Sequence, residues 1–260
     1  MTKQVKFKRR VLLEILGKIW YNKNIDRERG IILKDINMIK ENYNNYIEQQ
    51  KRGYEITAGI IGFAIEKLRE KGLISQDVQI TGRIKSFKSA YLNYKKDKKI
   101  DDCFGVRIMA NDDDLRKIGK ELSKILIIKS TKDHSQRTDT SYNAVHQMAY
   151  INGEGIETLK EMDSNLFPLI EIQYWTKEIE EKCWLGDLSY AHYKKRDIGK
   201  LAQQYKQNPE SVYEELPLYY EIKGTEVRQL EKAETLDRLY PELQEKLDQE
   251  QPILGELERA

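Results

Sequence analysis

Glu171-Ile-Gln-Tyr-Trp-Thr176 sets two polar side chains, Glu171 and Gln173, on one face of a run otherwise made of Leu169, Ile170, Ile172 and Tyr174. A carboxylate in such a place is costly to bury unless it is paired, protonated or bound to a metal. Arg83 and Lys85, in Thr81-Gly-Arg-Ile-Lys-Ser86, are two residues apart, so an extended segment points both cations the same way. Ser89 follows one turn on if a helix begins near Ser86. Asp102 and Arg107 flank Gly105 in Asp102-Cys-Phe-Gly-Val-Arg107, and Tyr142 and His146 follow a polar loop over 132–141. Two carboxylates, two arginines and a lysine suit a metal-bound triphosphate. Magnesium takes one or two protein carboxylates plus substrate phosphates, and cations beside a helix N-terminus hold the anion. Glu171 is placed to be a second ligand, or the base that takes a proton from an attacking hydroxyl. Tyr142 offers a ring for stacking on a nucleobase, an interaction worth ~1–3 kcal/mol.

Each feature also has a structural reading. Asp102 and Arg107 suit a salt bridge, Glu171 an ion pair, and Tyr142 and His146 an ordinary core. On spacing alone, Asp101 fits the ligand position as well as Asp102 does. His134, His146 and His192 have no neighbours at metal-ligand spacing, so zinc is not expected. Cys103 and Cys183 are the only thiols and lie far apart, which fits a reducing cytosol.

The elements that must hold these residues follow from periodicity. Helices are expected over Val5–Asn22, Ile31–Gln49 and Tyr54–Lys71, the last stopped by Gly72. Strands are expected at Val78–Gly82, Phe104–Met109, Ile125–Lys129, Ala144–Ile151 and Leu169–Trp175. Helices at Ser86–Lys96, Asp112–Leu126 and Lys177–Tyr193 are interleaved with them. The pattern predicts an α+β fold with a mixed β-sheet of about five strands over residues 75–200. An N-terminal helical extension, 1–74, and an acidic C-terminal helical extension, 201–260, flank it.

Charge separates the same regions. Residues 210–260 carry fourteen acidic and six basic side chains, a balance of −8, so the net +2 of the chain leaves +10 for the first 209 residues. A basic body suits polyphosphate or nucleic acid, and the acidic tail a packing arm, an oligomer contact or an internal mimic of the anionic partner. Mean hydropathy is −0.73. No apolar run approaches the ~20 residues that span a bilayer, and the N-terminus lacks a signal-peptide core, so a cytoplasmic protein is expected.

Taken jointly, Arg83-Ile-Lys-Ser86, Asp102 to Arg107, Ser141-Tyr-Asn-Ala-Val-His146 and Glu171-Ile-Gln-Tyr-Trp-Thr176 resemble the ordered motifs of the RelA/SpoT (p)ppGpp synthetase domain. The likeness covers roughly residues 75–196. It implies a nucleotidyltransferase-like sheet and a pyrophosphokinase that moves the β,γ-pyrophosphate of ATP to a ribose 3′-hydroxyl. Under it, Arg83 and Arg107 sandwich the adenine while Lys85 and Ser89 hold the phosphates. Asp102 and Glu171 bind Mg2+, with Glu171 also activating the hydroxyl. Tyr142 stacks on the acceptor base, and Gln173 and His146 help to hold the acceptor.

Departures from the motifs bear on the acceptor. The lysine and Asn-Gly expected before the tyrosine are replaced by Arg137-Thr-Asp-Thr-Ser141, with Arg137 one place from the lysine's position. The arginine of the last motif is Trp175, and a further phosphate lysine falls on Asn93, near Lys95 and Lys96. GDP or GTP is the expected acceptor, giving (p)ppGpp and a place in the stringent response. The alternative is a toxic relative that pyrophosphorylates the 3′ end of tRNA, held in check by an antitoxin. A further alternative is an inactive member that only binds nucleotide or RNA. No His-Asp hydrolase motif is present, so control by expression, homo-oligomerisation or an occluding partner is expected.

Overall fold

The computed structural model describes residues 29–95, 102–134, 144–153, 156, 159, 161–179 and 197–249. Its first element is one helix, α1 (Arg29–Glu70), of 42 residues. The sequence reading breaks it in two near Gly53, but the glycine serves a close approach instead. A Cβ at Gly53 would lie 1.7 Å from the carbonyl oxygen of Leu166, so only glycine lets the helix cross that turn. At the other end Gly72, with φ 62°, stops the helix as expected. Gly72 N–H donates to Arg69 O and Leu73 N–H to Leu68 O, at 2.8 and 2.9 Å, the paired bonds of a Schellman cap.

The mixed sheet that follows has seven strands among the described residues. β1 (Gln79–Ile84), β2 (Phe104–Met109), β3 (Leu126–Asp133), β4 (Val145–Ile151) and β5 (Ile170–Trp175) are the expected five. β6 (Leu218–Lys223) and β7 (Glu226–Gln229) come from the segment read as helical. The spatial order is β3-β4-β5-β2-β1-β6-β7. β2 and β5 run parallel and every other pair is antiparallel. The β6–β7 hairpin turns at Gly224, φ 55°, a left-handed position that favours glycine. The same glycine's carbonyl sits against Gly62 of α1, where a Cβ would come within 2.1 Å of it.

α2 (Phe87–Lys95) and α3 (Asp112–Ile125) fill the connections after β1 and β2. Asn111 caps α3 by accepting from Asp114 N–H, and three aspartates in its first turn complement the helix dipole. α1 and α3 cover one sheet face: Tyr54, Ala58, Ile61, Ile65, Ile118 and Leu122 join Ile80, Ile84, Phe104, Val106, Ile108, Ile170 and Ile172 in one buried cluster. The alternation of the strands then sends Arg83, Arg107, Glu171 and Gln173 to the opposite face. Beyond β5 come α4 (Ile198–Gln207) and α5 (Pro209–Tyr213), and after the hairpin α6 (Lys232–Leu239) and α7 (Pro241–Gln249). These form a second cluster, with Leu201, Val212, Leu236, Tyr240 and Leu243 packed around Tyr219 of β6. The expected helix over Val5–Asn22 and most of that over Lys177–Tyr193 lie outside the described residues.

Candidate active site

Strand register assembles the polar face. Arg83 lies opposite Gly105, and Gly105 opposite Glu171. Thr81, Arg107, Gln173 and His146 form the next row across β1, β2, β5 and β4. Glycine at 105 is what allows Arg83 to reach two strands away. A Cβ there would sit 3.3 Å from Arg83 Nε and 3.4 Å from its Cγ, in the path of the side chain. The guanidinium crosses this gap, and its Nη2 meets Glu171 Oε2 at 3.2 Å. From the opposite face Tyr54 Oη donates to the Gly105 carbonyl at 2.8 Å and fixes the strand at this point.

Glu171 is the hub. Its Oε2 also accepts from Gln173 Nε2 at 2.7 Å, and its Oε1 lies 3.0 Å from His146 Nδ1. Against an ionised carboxylate that nitrogen carries the proton. Burial pushes the Glu171 carboxyl up, but the hydrogen bond from His146 and the charge of Arg83 more than offset it, holding the group well below the usual carboxylate range. Gln173, itself buried, accepts from Arg107 Nε at 3.1 Å through its carbonyl oxygen, so one amide links the arginine to the glutamate. The Arg107 guanidinium lies 3.5 Å from the ring centroid of Trp175, the residue that replaces the arginine of the motif. Stacking and hydrogen bond together set the plane of Arg107.

Lys85 and Asp102 form a separate ion pair at the end of β1. The backbone of Lys85 is anchored by its own N–H to Cys103 O at 2.8 Å and by Tyr43 Oη, which donates to its carbonyl. Ser86 opens α2: its carbonyl accepts from Ala90 N–H and its Oγ lies 3.2 Å from Ser89 Oγ. Asp102 Oδ1 is buried and takes no hydrogen bond among the described residues. An orphaned carboxylate oxygen beside a lysine is the donor a hard cation would use, so the chemistry here fits magnesium. Among the described residues no cluster of three His, Cys, Asp or Glu is arranged to hold a metal, so substrate oxygens would have to complete any shell.

Arg83, Arg107, His146, Glu171 and Gln173 are thus joined by direct contacts, with Lys85, Asp102 and Ser89 at the start of α2. Tyr142 and Arg137, and the alternative ligand Asp101, lie outside the described residues. Between Arg83 and Arg107 the face dips into a small recess of about 10 Å³, lined also by Thr81, Gly105, Gln173 and Tyr219. Tyr219 has no place in the sequence reading. The alternation in Leu218-Tyr-Tyr-Glu-Ile-Lys223 ahead of Gly224 was the signal for it.

No described helix is long and apolar enough to cross a membrane. No protein-family model matches the sequence, and no curated protein does. Solved structures do match. Small alarmone synthetase 1 from Bacillus subtilis is 17% identical, with 85% of this chain and 100% of that chain covered and a TM-score of 0.42. The same enzyme bound to its product pppGpp is 18% identical over 66% of this chain and 86% of that one, with a TM-score of 0.44. A GTP pyrophosphokinase family protein from Streptococcus pneumoniae is 14% identical over 84% and 95%, with a TM-score of 0.44.

Proposed function

We propose that residues 75–200 carry an ATP-dependent pyrophosphokinase, with the 3′-hydroxyl of a guanosine nucleotide as acceptor and (p)ppGpp as product. The supporting observation is that Arg83, Arg107, His146, Glu171 and Gln173, drawn from four separate motifs, meet in one contact network on a sheet face. In this reading the acceptor oxygen attacks the β-phosphorus of ATP in line. The bond from that phosphorus to the α,β-bridging oxygen breaks, and AMP leaves with the electron pair. Arg83 and Arg107 hold the adenine, and Lys85 and Ser89 the phosphates, so that charge developing on the leaving group meets fixed cations. Gln173 keeps Arg107 in plane and His146 faces the acceptor. Asp102 and Glu171 would hold Mg2+, which supplies charge neutralisation on the triphosphate when bound.

Glu171 cannot take the hydroxyl proton while Arg83 and His146 hold it ionised, since a carboxylate so stabilised is a weak base. With Arg83 moved onto the adenine, Glu171 Oε2 would be left to Gln173 and to Mg2+ or the acceptor hydroxyl. ATP as donor implies a cytoplasmic reaction.

One observation favours a second acceptor. Arg137-Thr-Asp-Thr-Ser141 lacks the lysine and Asn-Gly that would hold a 5′-polyphosphate, and the first 209 residues carry +10. Both suit the 3′ end of tRNA, whose phosphates lie elsewhere. Transfer from γ-labelled ATP with magnesium, offering GDP, GTP and deacylated tRNA separately, separates the two. Label in a guanosine nucleotide is expected. Label in tRNA alone assigns the second reading, and ATP binding with no transfer to any acceptor refutes both.

A further inference from the structure

The recess on the polar face has one wall that none of the four motifs supplies. Its floor is low because Thr81 and Gly105 are small, and Arg83, Arg107 and Gln173 stand around it. The remaining side is Tyr219, which pairs with Arg83 in the β1–β6 register and therefore stands directly beside it on the same face. Tyr219 is only 4% exposed, and behind it lie Leu201, Val212, Leu236 and Tyr240. The C-terminal helices thus fix its ring from the back while it borders the recess. While Arg83 rests on Glu171 the recess has a volume of only about 10 Å³, about the space of a single water, so a heterocycle enters as Arg83 swings off that carboxylate.

Two guanidinium planes hold a flat base along one direction only, and the base can still slide within its own plane. A wall at the end of the slot removes that freedom, and it touches a two-ring purine before a one-ring pyrimidine. We infer that Tyr219 is a specificity-determining residue of the donor site, its ring closing the recess against the purine held by Arg83 and Arg107, an inference that rests on the donor-site reading above.

The experiment is equilibrium titration of ATP and CTP, each with magnesium and no acceptor, on wild type, Tyr219→Leu, Tyr219→Phe and Val212→Ala. Tyr219→Leu is expected to weaken ATP on the order of tenfold, the lower part of the range for one aromatic–base contact, and to leave CTP unchanged. Tyr219→Phe keeps the ring and the preference for ATP. Val212, in the same buried cluster but away from the recess, reports general loosening: its alanine variant should lower the melting temperature and keep the ATP-to-CTP ratio. An unchanged ratio in Tyr219→Leu, or an equal fall in Val212→Ala, overturns the inference and leaves the donor site standing. A wild-type protein that does not bind ATP overturns the donor-site reading and this inference with it.

Discussion

Glu171→Gln tests the hub of the site. The amide can keep its oxygen toward Arg83 and Gln173 and turn its NH2 toward His146 Nδ1, which becomes an acceptor by moving its proton to Nε2. The geometry therefore survives and mainly the charge is lost. A hydrogen bond to a charged group contributes about 1.5–3 kcal/mol against about 1 for a neutral one. With Arg83 and His146 as the charge-sensitive partners, the substitution should cost about 2 kcal/mol at neutral pH. For a chain of this size that is a melting-temperature drop of about 4–8 °C. Because the folded-state pKa of Glu171 is depressed, its contribution is complete above the unfolded value of about 4.3 and is lost as pH falls towards the folded one. Melting curves from pH 7 downward should show the two proteins converging below about pH 4. Pyrophosphoryl transfer, measured alongside, should fall by about 10²–10⁴. A variant that melts at or above wild type at pH 7, or a gap that does not close in acid, would refute the charge-paired hub. Retained transfer would refute its part in the chemistry.

Trp175→Leu removes the ring 3.5 Å from the Arg107 guanidinium, a desolvated contact worth about 2 kcal/mol. ATP affinity should fall on the order of tenfold by titration, with the acceptor KM unchanged. Gly105→Ala places a Cβ 3.3 Å from Arg83 Nε, and Gly105→Val adds methyl groups on the same path. Single-turnover transfer should decline in the order Gly, Ala, Val, and equal rates would mean that Arg83 does not work across this gap. Magnesium and a non-hydrolysable ATP analogue should each bind more tightly in the presence of the other, by the same factor. Calorimetric titration in both orders checks this, and independent binding refutes it.

The sequence made the chemistry more legible than the architecture around it. Glu171 and Gln173 were readable because strand alternation forces both onto one face, and their contacts to Arg83, Arg107 and His146 follow from register. The helix expected from Asp112 forms as α3 for an equally local reason, since Asn111 caps it and Asp112 to Asp114 complement its dipole. The single α1 was hidden because Gly53 looks like a break by propensity, and only the Leu166 carbonyl against it explains its presence. β6 and β7 were hidden by their acidic surroundings. Tyr220 and Ile222 alternate correctly for a strand, but what decides their state is pairing with Thr81 to Ile84, about 140 residues away. Tyr219 was missed with them, since a residue cannot be placed beside Arg83 before its strand is placed beside β1.

The two ion pairs have a common logic. Arg83 rests on Glu171 and Lys85 on Asp102, so each cation assigned to the donor nucleotide is neutralised by a carboxylate assigned to the metal. Partly buried charges left alone would destabilise the sheet face that carries them, and mutual pairing removes that cost while no ligand is bound. Either ligand component by itself would free one member of a pair and strand the other. A phosphate taking Lys85 leaves Asp102 without a cation, and a metal taking Asp102 leaves Lys85 without an anion. In the proposed reading, metal and triphosphate arriving together would give Asp102 and Lys85 new partners at once, while Arg83 would leave Glu171 to the metal and stack on the uncharged adenine. Under that reading the Lys85–Asp102 pair would favour the complete metal–nucleotide complex over either component alone, and Asp102 Oδ1, which takes no hydrogen bond among the described residues, is the atom a cation would use.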